Sequence, residues 1–217
     1  EHEAIAVLAY GSAVEDLATP ASDLDLLAVT RSVRSLQIIE DGPVPVHVEY
    51  LPLSELESEL ENLDWLFRMR LYDVQFTAAR LRRAVVLADP EGVGRSLVER
   101  AQSYRPSELT LNKFRAQARS LYHDAVGAYR AGHYDHAVLL GRLAAQIMTV
   151  HDLLCAGELN VGLKWQHRWA ERHLREAAPE RWVLYRRALG LGDAESEPAA
   201  RVTLRACHAL IAGRREP

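Results

Sequence analysis

Two aspartates, Asp23 and Asp25, alternate with leucines in "DLDLLAV" (23–29). In a strand, residues i and i+2 point to the same face, about 6.5–7 Å apart. The two carboxylates therefore share a face, and Leu24 and Leu26 are expected to face the core. In "VHVEY" (46–50), His47 and Glu49 share a face opposite Val46 and Val48. If the two strands pair, Glu49 completes a three-carboxylate cluster. Carboxylates packed that closely repel unless some stay protonated or a cation joins them. Hard oxygen donors suit Mg²⁺, which also bridges substrate phosphates. Two such ions, about 3.5–4 Å apart, clamp the attacking and leaving oxygens of an in-line phosphoryl displacement. His47 reads as a surface residue or as a support behind the ligands.

Ten residues before the aspartates, a first apolar run stops at Gly11-Ser12. Glycine lets the backbone turn sharply and approach a ligand closely. A serine there can present its N–H and hydroxyl to a phosphate where a helix begins. "SAVEDLA" (12–18) reads as that short helix, and Ser22 offers a second hydroxyl beside Asp23.

The elements that must hold these groups follow from periodicity. "AIAVLAY" (4–10), "LDLLAVT" (24–30), "VPVHVEYL" (44–51) and "AVVLAD" (84–89) read as strands. One long helical pattern fills 54–83, with Ser54 and Glu57 at capping-box spacing. Beyond residue 95 alternation disappears and helical patterns follow to the end. Gly132, Gly157 and Gly190 fall where helices should stop, and Pro179 and Pro198 near starts. The expectation is an α+β chain: a small mixed sheet with packed helices over 1–98, then an all-α helical bundle over 99–217. The boundary falls within Pro90–Pro106.

Gly-Ser, ten residues, then Asp-x-Asp leading an apolar strand resembles the signature of the DNA polymerase β-like nucleotidyltransferase superfamily. The motif covers residues 8–51. Two further segments extend the likeness to aminoglycoside-type members and related proteins. These are "VVLADPEGVGRSLVERA" and a Lys-Trp helix, "LNVGLKWQHRWAERHL". The resemblance implies nucleotidyl transfer: a hydroxyl attacks the α-phosphate of a nucleoside triphosphate and pyrophosphate leaves. It places Asp23, Asp25 and Glu49 around Mg²⁺, with Gly11, Ser12 and Ser22 at the triphosphate. Glu49 is also the candidate general base. It implies ATP as the default donor and a small-molecule hydroxyl, such as that of an aminoglycoside-like antibiotic, as acceptor. A module that adenylylates a protein, or a toxin–antitoxin-type regulator, is the alternative. Some aminoglycoside-type relatives share sites across a homodimer.

Charge divides unevenly. Residues 1–98 hold 17 acidic against 8 basic side chains, and residues 99–217 hold 13 against 18. A cation-holding half and an anion-holding half suit a polyphosphate. The chain has only two lysines, Lys113 and Lys164. Lys164 lies in the Lys-Trp segment and is the candidate for the leaving pyrophosphate, with Arg168 one turn on to assist. Trp165, Trp169, Tyr104, Tyr122 and Tyr129 have helical spacing that favours packing over an acceptor pocket. Histidines at 123, 133, 136 and 151 invite a metal reading, but His133 and His136, three apart, sit in what reads as a loop entering a helix with no third ligand nearby. Arg168 and His173 fit the Arg-x4-His pattern of the HEPN ribonucleases only superficially, because Trp169 replaces a small polar residue.

Dispersed arginines without an RNA-binding module make nucleic acid an unexpected partner. No apolar run approaches the ~18 residues of a membrane helix, so no membrane is expected. Two cysteines far apart make a reduced, cytoplasmic setting the default. The chain starts at Glu1, so a trimmed N-terminus can hide a leader.

Overall fold

The computed structural model describes residues 3–20, 22–40, 42–69, 76–190 and 197–212. Two compact units emerge. One comprises Glu1–Leu66 and Gln75–Arg105, the other Phe67–Val74 and Pro106–Pro217. Residues 99–105 thus pack with the sheet, seven residues beyond the sequence-based division.

The first unit is built on β1 (Ala4–Tyr10), β2 (Leu24–Thr30), β3 (Ser35–Ile39), β4 (Val46–Pro52) and β5 (Val85–Ala88). They form one mixed sheet in the order β3-β4-β2-β1-β5. β2 and β4 run parallel, in a register that sets Asp25 opposite His47 and Leu27 opposite Glu49. β1 runs antiparallel to β2, with Tyr10 opposite Asp25. α1 (Leu53–Glu61) packs on β4, and α4 (Val93–Ser103) packs on β1 and β5. Gly94 admits α4 closely to the sheet: a Cβ there would sit 3.2 Å from that of Ala6.

Leu24 and Leu26 do not form the core face. They are only half-buried, whereas Leu27 and Val29, on the side of the aspartates, have no exposure. Leu8 and Leu51 complete that buried face. "LDLLAVT" is apolar on both sides, so alternation alone cannot say which side the core takes. The aspartates instead stand at the β2 entrance, on the face whose continuation is core.

The helical pattern over 54–83 is broken. α1 ends at the C-cap Asn62, whose side-chain amide donates to the Ser58 carbonyl at 2.8 Å. α2 (Leu63–Met69), α3 (Thr77–Arg80) and a 3₁₀ turn (Leu81–Arg83) follow. Residues 70–75 of that pattern lie outside the described residues. Pro52 is the N-cap of α1, and no side chain caps it. Leu53 is already helical, so Ser54 sits inside the first turn and the expected capping box is not formed.

Asp89 supplies the cap that α4 needs. Its carboxylate accepts from the Gly94 N–H at 2.9 Å and the Arg95 N–H at 3.0 Å. Desolvation alone would raise its pKa, but the two backbone N–H groups and the Arg95 charge outweigh it and hold the pKa below the usual 3.8. A depressed carboxylate pKa stabilises the fold above the unfolded-state value, and that contribution is lost as pH falls through the folded-state value. Asp89→Ala is therefore expected to cost about 1 kcal/mol at neutral pH. Urea melts should show the gap from wild type closing below the ordinary carboxylate range.

The second unit is helical: α5 (Glu108–Arg130), α6 (Tyr134–Cys155), α7 (Leu163–Ala177), α8 (Pro179–Ala188) and α9 (Glu197–Ala212). α6 packs on α5 and α9, joined by a cluster of Ala125, Ala137 and Leu204 that Tyr122 and Tyr129 flank. α7 packs on α8 through Ala170, Leu174, Trp182 and Tyr185. Contrary to the sequence-based expectation, α6 is long and apolar enough to cross a membrane by composition, with a mean hydropathy of 1.3. Most of that stretch is buried in the protein, as for a core helix, with 61% of it inside.

Candidate functional site

β1 delivers Tyr10 and then the Gly11 turn. β2 delivers Asp23, just before its first residue, and Asp25. β4 delivers His47 and Glu49. Register places all four strand residues on one face. His47 Nδ1 lies 2.9 Å from Asp23 Oδ2 and 3.9 Å from Asp25 Oδ1. The three side chains are 27–35% exposed, so the group is open to solvent.

Asp23, Asp25 and His47 each bring one donor atom into a set whose members all lie within 4.8 Å of one another. Among the described residues this is the one group of three such donors. Glu49, expected as the third ligand, is not in it; His47 is. The signal was present in the sequence: His47 has the same parity as Glu49 and lies one strand step nearer the aspartates.

Glu49 is engaged by Tyr10, whose hydroxyl donates to its Oε2 at 3.0 Å. Burial first, and then the Glu49 carboxylate, push the Tyr10 phenol far above its usual value, against the opposing Arg80 charge. The Arg80 guanidinium lies 5.6 Å from the ring centre. Tyr10 thus stays protonated and donates at any working pH. Removing that hydroxyl as Tyr10→Phe is expected to cost about 1–2 kcal/mol, because Glu49 loses a buried partner. Thermal melts of the two proteins measure it.

Gly11 is shaped around Asp25. Its φ of +76° lies in the left-handed region, and a Cβ there would collide with Asp25 Oδ2. The donor group therefore has a cradle that only a glycine fits. Two carboxylate oxygens and an imidazole nitrogen are a competent set for a divalent cation. At 2.9 Å, His47 Nδ1 and Asp23 Oδ2 are within hydrogen-bonding distance, and a divalent cation would take the place of the proton between them.

The segment after Gly11 is a run of turns, not the expected helix. Val14 N–H donates to the Gly11 carbonyl at 3.2 Å and Leu17 N–H to the Ser12 carbonyl at 3.1 Å. Asp16 has a φ of 55°, which a continuing helix cannot hold. Ser12 is buried in that turn. Ser22 Oγ accepts from Thr19 N–H at 2.8 Å and lies 3.2 Å from Thr19 Oγ1, closing the loop that leads into β2.

Lys164 and Arg168 lie on α7 of the helical unit, both exposed. Lys164 Nζ sits 4.9 Å from the centre of the Trp165 ring. Arg168 pairs with Glu171 at 3.7 Å. Trp169 is fully buried, and Tyr104 donates to Asp64 at 3.2 Å, as packing residues do. His173 faces the buried Glu158 at 3.4 Å. His151 is tied on both ring nitrogens. Nε2 faces an Arg115 amine at 3.2 Å, and Nδ1 faces Asp152 Oδ1 at 3.0 Å. A guanidinium only donates, so Nε2 accepts and Nδ1 carries the proton to Asp152. Burial raises the pKa of the nearby Cys155 thiol, which argues against an activated nucleophile.

No family model matches the chain, and no curated protein matches it in sequence. Among solved structures it is similar to a nucleotidyltransferase-like protein from Exiguobacterium sibiricum 255-15. The TM-score is 0.56 and the identity 14%, over 97% of this chain and 69% of that one. A five-stranded mixed sheet, a helical C-terminal region and this likeness together give the chain a nucleotidyltransferase-like α+β fold.

Proposed function

We propose that the protein is a metal-dependent nucleotidyltransferase. The observation that carries this reading is the convergence of Asp23, Asp25 and His47 at the entrance of β2, with Gly11 moulded against Asp25, on a nucleotidyltransferase-like fold. In the proposed reaction an acceptor hydroxyl oxygen bonds to the α-phosphorus of a nucleoside triphosphate. The bond from that phosphorus to the bridging oxygen breaks, and pyrophosphate leaves with its electron pair. Asp23 and Asp25 would hold the divalent cation, Mg²⁺ in the family pattern and with a second ion in its two-metal form. When bound, the cation neutralises phosphate charge and lowers the pKa of a coordinated hydroxyl.

The chain's own groups do the rest. Glu49 Oε1 is the proposed acceptor of the hydroxyl proton, with Oε2 held by Tyr10 so that the carboxylate cannot rotate away. Gly11, Ser12 and Ser22 are proposed at the triphosphate, through the turn that separates β1 from β2. Lys164 and Arg168 are proposed for the pyrophosphate, in the same chain or across a homodimer. ATP is the proposed donor. The proposed acceptor is a small-molecule hydroxyl, of the aminoglycoside kind, in a cytoplasmic setting where both free cysteines stay reduced.

Incubation with α-labelled nucleoside triphosphates, divalent cations and a panel of hydroxylated small molecules tests the reading. Transfer of label with release of pyrophosphate is expected. Label on a protein hydroxyl instead would move the acceptor to the adenylylating alternative. No transfer from any triphosphate to any acceptor, by folded metal-loaded protein, would overturn the reading.

A further inference from the structure

We infer that His47 is itself a metal ligand, and that its nitrogen makes the site select Mn²⁺ over Mg²⁺. The inference deepens the proposed function and rests on its reading of Asp23 and Asp25 as ligands. Three observations lead to it. First, the parallel register sets His47 directly opposite Asp25. Its Nδ1, the atom with a lone pair in one neutral tautomer, is the ring atom turned to both carboxylates. Second, the carboxylate that could have served in its place, Glu49, is drawn to Tyr10 and lies outside the donor group. Third, only a two-residue slide of β4 along β2 would exchange them, and the continuous pairing from Leu24 opposite Val46 to Thr30 opposite Pro52 fixes the register against it.

The chemistry follows from the donor set. Three carboxylates would present a charge of −3 and only oxygen, which suits the hard Mg²⁺ ion. Two carboxylates and a neutral imidazole present −2, and one position is nitrogen. Mg²⁺ loses electrostatic attraction at that position and gains little from nitrogen. Mn²⁺, an oxygen-preferring ion with d electrons, takes an imidazole nitrogen more readily than Mg²⁺ does. Mn²⁺ remains compatible with phosphate oxygens, so the selectivity does not conflict with triphosphate chemistry.

The test uses the full chain with Mn²⁺ and Mg²⁺ as probes. Free Mn²⁺ is counted by its electron paramagnetic resonance signal, with Mg²⁺ as competitor, and pulsed measurements read ¹⁴N coupling to the bound ion. Wild type is expected to hold Mn²⁺ roughly 100-fold more tightly than Mg²⁺, with a coupling typical of direct imidazole ligation. His47→Asp should abolish the ¹⁴N coupling and narrow the preference to about 10-fold, chiefly by tightening Mg²⁺. His47→Gln, which keeps a neutral polar side chain, should lose the coupling and weaken Mn²⁺. Thermal melts identify any variant that fails to fold, and the wild-type coupling stands as the test in that event. Bound Mn²⁺ without ¹⁴N coupling, or an unchanged preference in a folded His47→Asp protein, overturns the inference and leaves the nucleotidyltransferase reading standing. Coupling without transfer from any triphosphate does the reverse. Absence of Mn²⁺ binding overturns the inference, and absence of binding of either ion overturns both.

Discussion

Asp23→Asn and Asp25→Asn are each expected to lower nucleotidyl transfer by at least about 10³-fold while the protein remains folded. The substitution keeps side-chain volume and removes one negative charge from a group whose donors lie within 4.8 Å. Its effect on stability is small, because neither carboxylate is deeply buried and repulsion between them is relieved. Its effect on the site is large, because a metal ligand is lost where charge develops in the reaction. Transfer assays with labelled triphosphate read the loss, and far-ultraviolet circular dichroism with thermal melts reads the fold. Wild-type turnover in either variant would mean that these aspartates do not hold the catalytic cation.

Gly11→Ala is the second change expected to act strongly, although it removes no functional group. At a φ of +76° an alanine carries about 1–2 kcal/mol of backbone strain. Its methyl group would also occupy the place of Asp25 Oδ2, so the carboxylate must move. A displacement on the order of 1 Å at a reacting centre costs about 10²-fold in rate. A double-mutant cycle separates the two effects. In Gly11→Ala combined with Asp25→Ala the collision vanishes, and the stability loss from the alanine should fall to the backbone part alone. Strict additivity of the two stability changes would show that Gly11 does not shape Asp25.

The strand-forming runs and most helices were legible because each has one period and firm stops. Gly132, Gly157 and Gly190 all adopt positive φ just after α5, α6 and α8, and Pro179 opens α8. β3 was missed because it is an edge strand with Leu36, Ile38 and Ile39 all exposed, so no alternation marks it. The break at Asn62 was missed because apolar spacing continues across it from Leu60 to Leu63, both buried. Asp23 and Asp25 were legible as a pair, but not on which side of the sheet they stand. That depends on where α1 and α4 pack, which no local pattern records. His47 is as visible in the sequence as Glu49, but the family pattern favours the carboxylate. Only the β2–β4 register decides between them, and register is a property of two strands together.

The alignment of β2 with β4 also governs how this chain can drift. Fifteen residues, 31–45, join the two strands and include β3, and changes of length in the turns on either side of β3 leave the pairing of Asp25 with His47 intact. A single residue gained or lost inside β4 is different. The chain can keep Leu51 on the core face or keep His47 beside the aspartates, but not both, since every side chain beyond the change reverses direction. The same apolar residues that hold the sheet together therefore meter the position of the polar ones. Length variation in this lineage should accumulate in the connection and be purged from the strand, even at strand positions that touch nothing at the site.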